Sequence, residues 1–369
     1  MSTSKYRVPN ELYYSEIYGG GIYEWNGQTV QDPLGGDRGE GRVSPLLTSL
    51  LSGETFFLKR LPGDARDRFR TRVLLPPRNE HILWPSDMVH LEEEQREGCS
   101  LFVAQSYTPA PAEQEGSEAL LFPYGGYPRM VDGLRRLSQI ESPSWKVREI
   151  RRMAAEIARA LESLNRSGYL YADIHLSRIY FSDDDVVFLD FSNLVFPLRD
   201  SVGRGADTAC RVEQGAYPLE FADPALVRGL TPHVDLHSQN YSLCALFFYL
   251  FLGRYPYDGR LLTGYMDDTP QGHYVKFRDY HKMPVFIFDP EDTQNSLGAF
   301  WEEQQVIELW EELPEELREM FVRTLRRGNA ERTDPVNNPT PSTWLRCFRE
   351  LGWYDDKDDK KETEGIAYE

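Results

Sequence analysis

Between residues 142 and 168 the apolar positions fall at helical spacing: Ile150, Met153, Ile157, Leu161 and Leu164 recur every three or four residues. Ser142 and Pro143 supply an N-cap and a first-turn proline, and Gly168 closes the run, so the pattern predicts one long amphipathic helix. The chain before it has a different rhythm. "ETFFLKRL" (54–61), "HILWPSDMVHL" (81–91), "SLFVAQSY" (100–107) and "ALLFPYGGY" (119–127) are short β-prone runs set between turn residues, the signature of an antiparallel sheet. The polar stretch "PAPAEQEGSE" (109–118) reads as a loop between two of them. After the helix, "RIYF" and "DVVFLDF" flank the acidic turn "SDDD" and predict a hairpin. A loop-rich segment from 192 to about 237 leads to an apolar helix near 240–252, and further helical patterns cover 299–327 and 341–351.

These elements predict an α+β protein with an antiparallel, β-rich N-terminal part over 21–124 and a mainly helical part over 125–353. Residues 1–20 form an N-terminal extension, and the charged run 354–369 reads as a disordered tail. Two lobes suit a chain of 369 residues, which is long for a single core.

The net charge of −18 argues against nucleic acid or an anionic membrane surface as partner, since both select basic proteins. Any phosphate must then be held by local cations. Cys99, Cys210, Cys244 and Cys347 have no paired spacing, which points to neither a disulfide framework nor a zinc knuckle and fits a reducing cytoplasm. The most apolar run, "LCALFFYLFLG" (243–253), is too short to span a bilayer, so no membrane insertion is expected.

Four features bear on phosphate chemistry. "PLGGDRGEGRVSPLL" (33–47) carries Gly35, Gly36, Gly39 and Gly41 between β-prone segments, as a plain hairpin turn would, or as a loop whose amides cradle phosphate. Lys59 interrupts the apolar run "FFLKRL", either reaching from an edge strand to solvent or meeting an anionic partner. Asp173 follows the long helix directly, and Asp190 ends the second strand of the hairpin; each alone fits a turn-capping carboxylate, yet both are placed to face one cleft.

In this order the features resemble a protein kinase catalytic domain, over residues 20–353. "GDRGEGRV" is similar to the glycine-rich loop, with Gly36, Gly39 and Gly41 near its glycines and Val43 at its valine. The resemblance implies a bilobal kinase-like fold that binds ATP and Mg²⁺. Lys59 would grip the α- and β-phosphates, Asp173 in "YADIHLSRI" would be the base that orients a Ser or Thr hydroxyl, and Asp190 in "DFS" would hold the metal. "YPLEFADPAL" resembles the end of an activation segment, "YSLCALFFYLFLGRYPYDG" the buried helix after it, and "RTLRRGNAERTDP" the last helices, with Arg332 at their arginine. "LLPPRNEHILWP" and "MPVFIFDPEDTQN" are similar to segments of atypical bacterial kinase-like proteins.

The match breaks in the catalytic loop. Its histidine is Tyr171, its arginine Ala172, its γ-phosphate lysine His175, and its metal-binding asparagine Arg178, which carries donors only. Arg178 would instead pair with Asp190 or lie against the phosphates. The glutamate expected to pair with Lys59 is missing, leaving Asp67 as a substitute, with Asp64 nearby. The aspartate of the buried helix is replaced by Gln239, or served by Asp235 one turn earlier, and with Ala225 after Pro224 the partner of Arg332 falls to Glu220 or Asp223. "HVDLH" (233–237) reads as a surface loop or, less economically, as part of a zinc site lacking a third ligand. Two functions stay open: an atypical Ser/Thr phosphotransferase acting on a protein substrate, or a pseudokinase scaffold that works through a regulatory protein partner.

Overall fold

The computed structural model describes residues 11–14, 21–31, 43–62, 81–83, 87–90, 115–123, 131–172, 174–181, 187–190, 195–197, 219–231, 234–262, 276–277, 279–298 and 301–354. The protein is a mixed α+β chain. Its first part is an antiparallel sheet of six strands, β1 (Glu11–Tyr14), β2 (Ile22–Gln31), β3 (Val43–Ser49), β4 (Thr55–Pro62), β6 (Asp87–His90) and β7 (Glu115–Pro123), in the order β1-β2-β3-β4-β7-β6. The edge strand β1 lies within the first twenty residues and pairs with β2 from Glu11↔Trp25 to Tyr14↔Ile22. Alternation along β4 explains its double burial. Phe56 and Leu58 join Tyr23, Leu47 and Val89 in one apolar cluster, while Phe57 turns to the opposite face and joins the larger helical core.

Two expectations for this part need correction. The polar tract 109–118 is a strand from Glu115 onward, because β7 finds a ladder on both sides, Pro62↔Glu115 on one and His90↔Glu118 on the other. A flanked backbone satisfies its hydrogen bonds in a strand whatever its polarity. The run 81–91 divides into β6 and the short β5 (Ile82–Leu83), which belong to different sheets. The expected strand at 100–107 lies outside the described residues.

The helical part is built on two buried helices, α2 (Arg148–Arg166) and α4 (Leu236–Leu252). All five residues of the α2 stripe, Ile150 to Leu164, are fully buried, and Gly168 takes the left-handed turn that ends the segment. The start of α2 lies five residues later than the capping signals at Ser142 imply. Ser142 itself is left-handed at φ 51°, and Val147 is the cap, without a side-chain bond. Trp145 holds the intervening turn elsewhere: its backbone N–H donates to Phe251 O at 3.0 Å and its indole to Leu309 O at 3.0 Å.

The apolar helix starts earlier than 240, because Asp235 and Ser238 form a reciprocal capping box at its first turn, and it ends on left-handed Gly253. The region 299–327 is divided at Pro314 into α5 (Trp301–Glu311) and α6 (Glu315–Leu325), followed by α7 (Arg327–Ala330) and α8 (Pro341–Glu350). Phe247 of α4 meets Trp344 of α8 edge-on at 5.0 Å, and Phe248 meets Phe321 of α6 at 5.4 Å, so aromatic rings tie α4 to its neighbours. Among the described residues no helix is long and apolar enough to cross a membrane.

The expected hairpin is present. It pairs β10 (Ile179–Phe181) with β11 (Val187–Asp190) as Ile179↔Leu189 and Phe181↔Val187. β5 joins β11 in parallel, and β8 (Val131–Asp132) joins β10 on the other side. Beside this small sheet, β9 (Tyr169–Tyr171) pairs with β12 (Val195–Pro197).

Candidate functional site

The candidate site is best defined at the turn between β9 and β10. Tyr171 is fully buried at the end of β9, and its backbone N–H donates to Gln239 Oε1 on α4 at 2.9 Å. Its hydroxyl reaches Arg178 O at 3.4 Å, closing the turn on itself. Ile174 and Leu176 are buried next, and residues 176–178 form a single 3-10 turn in which Arg178 N donates to His175 O at 2.9 Å. Gly133, at the start of α1 (Gly133–Ser138), allows this close packing, since a Cβ there would stand 2.9 Å from Leu176 O. Asp173 lies outside the described residues. Its neighbours are fixed on both sides, Ala172 following the anchored Tyr171 and Ile174 inside the core.

Gln239, rather than Asp235, thus serves the loop. Asp235 is occupied at the N-cap of α4, accepting from Ser238 N at 2.7 Å, while Gln239 stands one turn further along the helix. The Gln239 Nε2 atom is buried with no hydrogen-bond partner, so the amide is committed through its oxygen alone.

The segment 219–223 forms the second wall. His281 Nε2 donates to Leu219 O at 2.6 Å, and burial lowers the His281 pKa to about 4, which keeps the ring neutral. Phe221 packs, tilted or edge-on, among Tyr249, Tyr255 and the ring of His175, with the His175 centroid 5.7 Å away. Asp223 caps α3 (Pro224–Val227) by accepting from Ala225 N at 2.9 Å, and its other oxygen accepts from Arg332 at 2.6 Å. Of the two partners expected for Arg332, Asp223 is the one used. Burial raises the Asp223 pKa to about 6 even against the adjacent guanidinium. Glu220 points to the other side, where its Oε1 lies 3.8 Å from His175 Nε2.

His237 is a half-buried helix residue rather than part of a surface loop. Its Nε2 donates to Asn329 Oδ1 at 3.1 Å and its Nδ1 accepts from Asn338 at 3.0 Å, the pattern of a neutral ring. Burial, with Arg332 close by, lowers its pKa accordingly. Among the described residues no group of three His, Cys, Asp or Glu gathers as metal ligands, and His233 lies outside them. The Asn329 and Asn338 partners have no signal in the sequence beyond their polarity.

The remaining expected site residues are placed by backbone alone. Gln31↔Val43 pairing brings together the two ends of the glycine segment, whose Gly36, Gly39 and Gly41 lie outside the described residues. Lys59 is on β4 opposite Leu120 of β7, two residues beyond Phe57, whose partner on β3 is Leu46. Val43, which follows the glycine segment, begins β3, and Lys59 lies on β4, the strand paired with it. Asp190 is the last residue of β11, opposite Leu83, and follows Leu189, whose partner on β10 is Ile179, the residue after Arg178. Asp64 and Asp67 lie outside the described residues.

A separate groove of about 890 Å³ runs between α6 and α8 and includes none of these residues. Glu315, Glu319, Arg318, Arg323 and Arg346 line it together, and the mixed signs select no class of ligand. No family model matches the chain, and no curated protein matches it.

Proposed function

We propose that this chain is a bilobal, protein kinase-like nucleotide-binding protein that transfers the γ-phosphoryl group of ATP to a Ser or Thr hydroxyl of a protein substrate. The observation that carries this reading is the buried bond from Gln239 to the backbone of Tyr171, two residues before Asp173. A turn that is only a connector needs no side chain from a buried helix to fix it, and positioning a general base does. Asp173 would then orient the hydroxyl and take its proton, with Lys59 and the glycine segment holding the phosphates.

The donor set fits one Mg²⁺ through the carboxylate of Asp190, with water and phosphate oxygens completing its shell. It does not fit a second ion at position 178, where a guanidinium offers no lone pair. Bound Mg²⁺ would supply charge neutralisation at the β- and γ-phosphates. Arg178, one residue before the Ile179↔Leu189 pair that adjoins Asp190, supports a second reading, a pseudokinase scaffold in which its cation takes the metal's place and the protein acts through partner binding.

Calorimetric titration with a non-hydrolysable ATP analogue, with and without Mg²⁺, separates the readings. Magnesium-dependent binding that weakens at least about tenfold in Lys59→Ala supports the phosphotransferase, and Asp173→Asn should then abolish transfer while sparing binding. Binding indifferent to Mg²⁺ supports the scaffold with Arg178 in the metal's place. An absence of binding rejects the enzyme.

A further inference from the structure

Glu220 is about 5 % exposed, and its Oε2 atom is buried with no hydrogen-bond partner. Its Oε1 faces His175 Nε2 at 3.8 Å. A carboxylate so enclosed is costly unless a cation balances it. Arg332 is engaged three residues further on by Asp223, and among the described residues His175 is the cation-capable group placed against Glu220.

We infer that Glu220 is a positioning residue that holds His175 as an imidazolium, so that the loop carrying Asp173 presents a positive charge to the transferred phosphoryl group. The inference rests on the phosphotransferase reading and deepens it. A buried carboxylate behind an imidazole both orients the ring and favours its charged form. The wall that carries Glu220 is rigid: His281 holds Leu219, Phe221 is packed among aromatic rings, and Arg332 holds Asp223. Asp173 is two residues away on the same loop, and Arg178 is tied to the turn by its backbone N–H, which donates to His175 O. Tyr249 and Tyr255 flank Phe221, and burial raises the Tyr249 pKa, so that phenol contributes no charge. The Asp223–Arg332 pair is close to neutral at pH 8 and gains positive charge as Asp223 protonates near pH 6.

The test has two arms. In the first, the imidazole resonances of His175, assigned by their loss in His175→Gln, are titrated by NMR in the wild type and in Glu220→Gln. The midpoint should fall by about one unit in Glu220→Gln; an unchanged midpoint overturns the pairing whether or not nucleotide binds. In the second, affinity for the ATP analogue is measured at pH 6 and pH 8. His175→Lys, permanently charged, reports the nucleotide's own titration, and relative to it the wild type should lose about tenfold in affinity across this range. His175→Gln should be uniformly weak, and Glu220→Gln should lose its affinity at lower pH than the wild type. Wild-type affinity that follows His175→Lys at both pH values overturns this inference and leaves the nucleotide reading standing. A wild type that binds no nucleotide at either pH overturns both.

Discussion

Asp223 and His281 clamp one five-residue segment, and both are buried in ways that shift them toward their neutral forms. Their effects on stability run in opposite directions with pH. The Asp223 pKa rises from 3.8 unfolded to about 6 folded, so the native state binds the extra proton. Its stabilising contribution is complete below the unfolded value and is lost as pH rises through the folded one. The His281 pKa falls from 6.5 to about 4, so its contribution is complete above the unfolded value and is lost as pH falls through the folded one. Between pH 7 and pH 4.5 the Asp223 effect adds about 2 kcal/mol and the His281 effect removes about as much, at 1.36 kcal/mol per unit. The wild type should be nearly level across this window as far as these two groups are concerned. Asp223→Asn removes one arm of the balance. Urea denaturation at pH 7 and pH 4.5 should show the variant losing about 2 kcal/mol more than the wild type on acidification, whatever its offset at pH 7. Groups common to both proteins cancel in the difference. A gap between variant and wild type that stays constant over the two pH values would refute the reasoning.

Arg332→Met leaves Asp223 buried without its cation and should cost about 3–5 kcal/mol at pH 7, with a smaller loss at pH 4.5 where the carboxyl is protonated; denaturation at both pH values checks this. Gln239→Leu strands the buried N–H of Tyr171 and should lower stability by about 1–3 kcal/mol. On the proposed function it should also weaken binding of the ATP analogue by calorimetry, since the loop that carries Asp173 is no longer held. Gly133→Ala sets a methyl group 2.9 Å from Leu176 O, a backbone atom that cannot swing aside. It should destabilise by about 1–3 kcal/mol, read as a lower thermal midpoint, with exchange protection reduced in residues 174–178.

The helical half of the fold was the more legible because its signals are local. The stripe from Ile150 to Leu164 is a period that tertiary structure keeps intact. The start of α2 departs from its local signals for an equally physical reason: Ser142 and Pro143 look like a cap, but Trp145 is bound to Phe251 and Leu309, and the tie to these distant carbonyls sets where the helix begins. The strand at Glu115–Glu118 was hidden because its hydrogen bonds come from neighbours at positions 62 and 90, which no local composition reports. For the site, sequence reasoning narrowed two choices without making them. Glu220 and Asp223 were equal candidates for Arg332, and only the fold turns one toward the guanidinium and the other toward His175. Gln239 and Asp235 were likewise a turn apart on one helix. The local signal that separates them is Ser238, which completes a capping box with Asp235 and so removes it from competition.

Helix α4 links these choices. It is apolar through most of its length, yet its first two turns bury Ser238, Gln239, Asn240 and Ser242. Burying so many polar groups in one short stretch costs stability unless each has work that an apolar side chain cannot do. Asp235 and His237 stand beside the Arg332–Asp223 pair and the two buried asparagines, and through that pair the helix steadies the wall that presents Glu220. One turn later Gln239 grips Tyr171 and steadies the loop from Ala172 to Arg178. The loop around residues 172–178 and the segment 219–223, far apart in sequence, are thus both tied to neighbouring turns of α4. A weakening of either hold should be felt by the other, so Arg332→Met and Gln239→Leu should fail to add in a double-mutant cycle, whereas two unrelated core defects would add within about 0.5 kcal/mol.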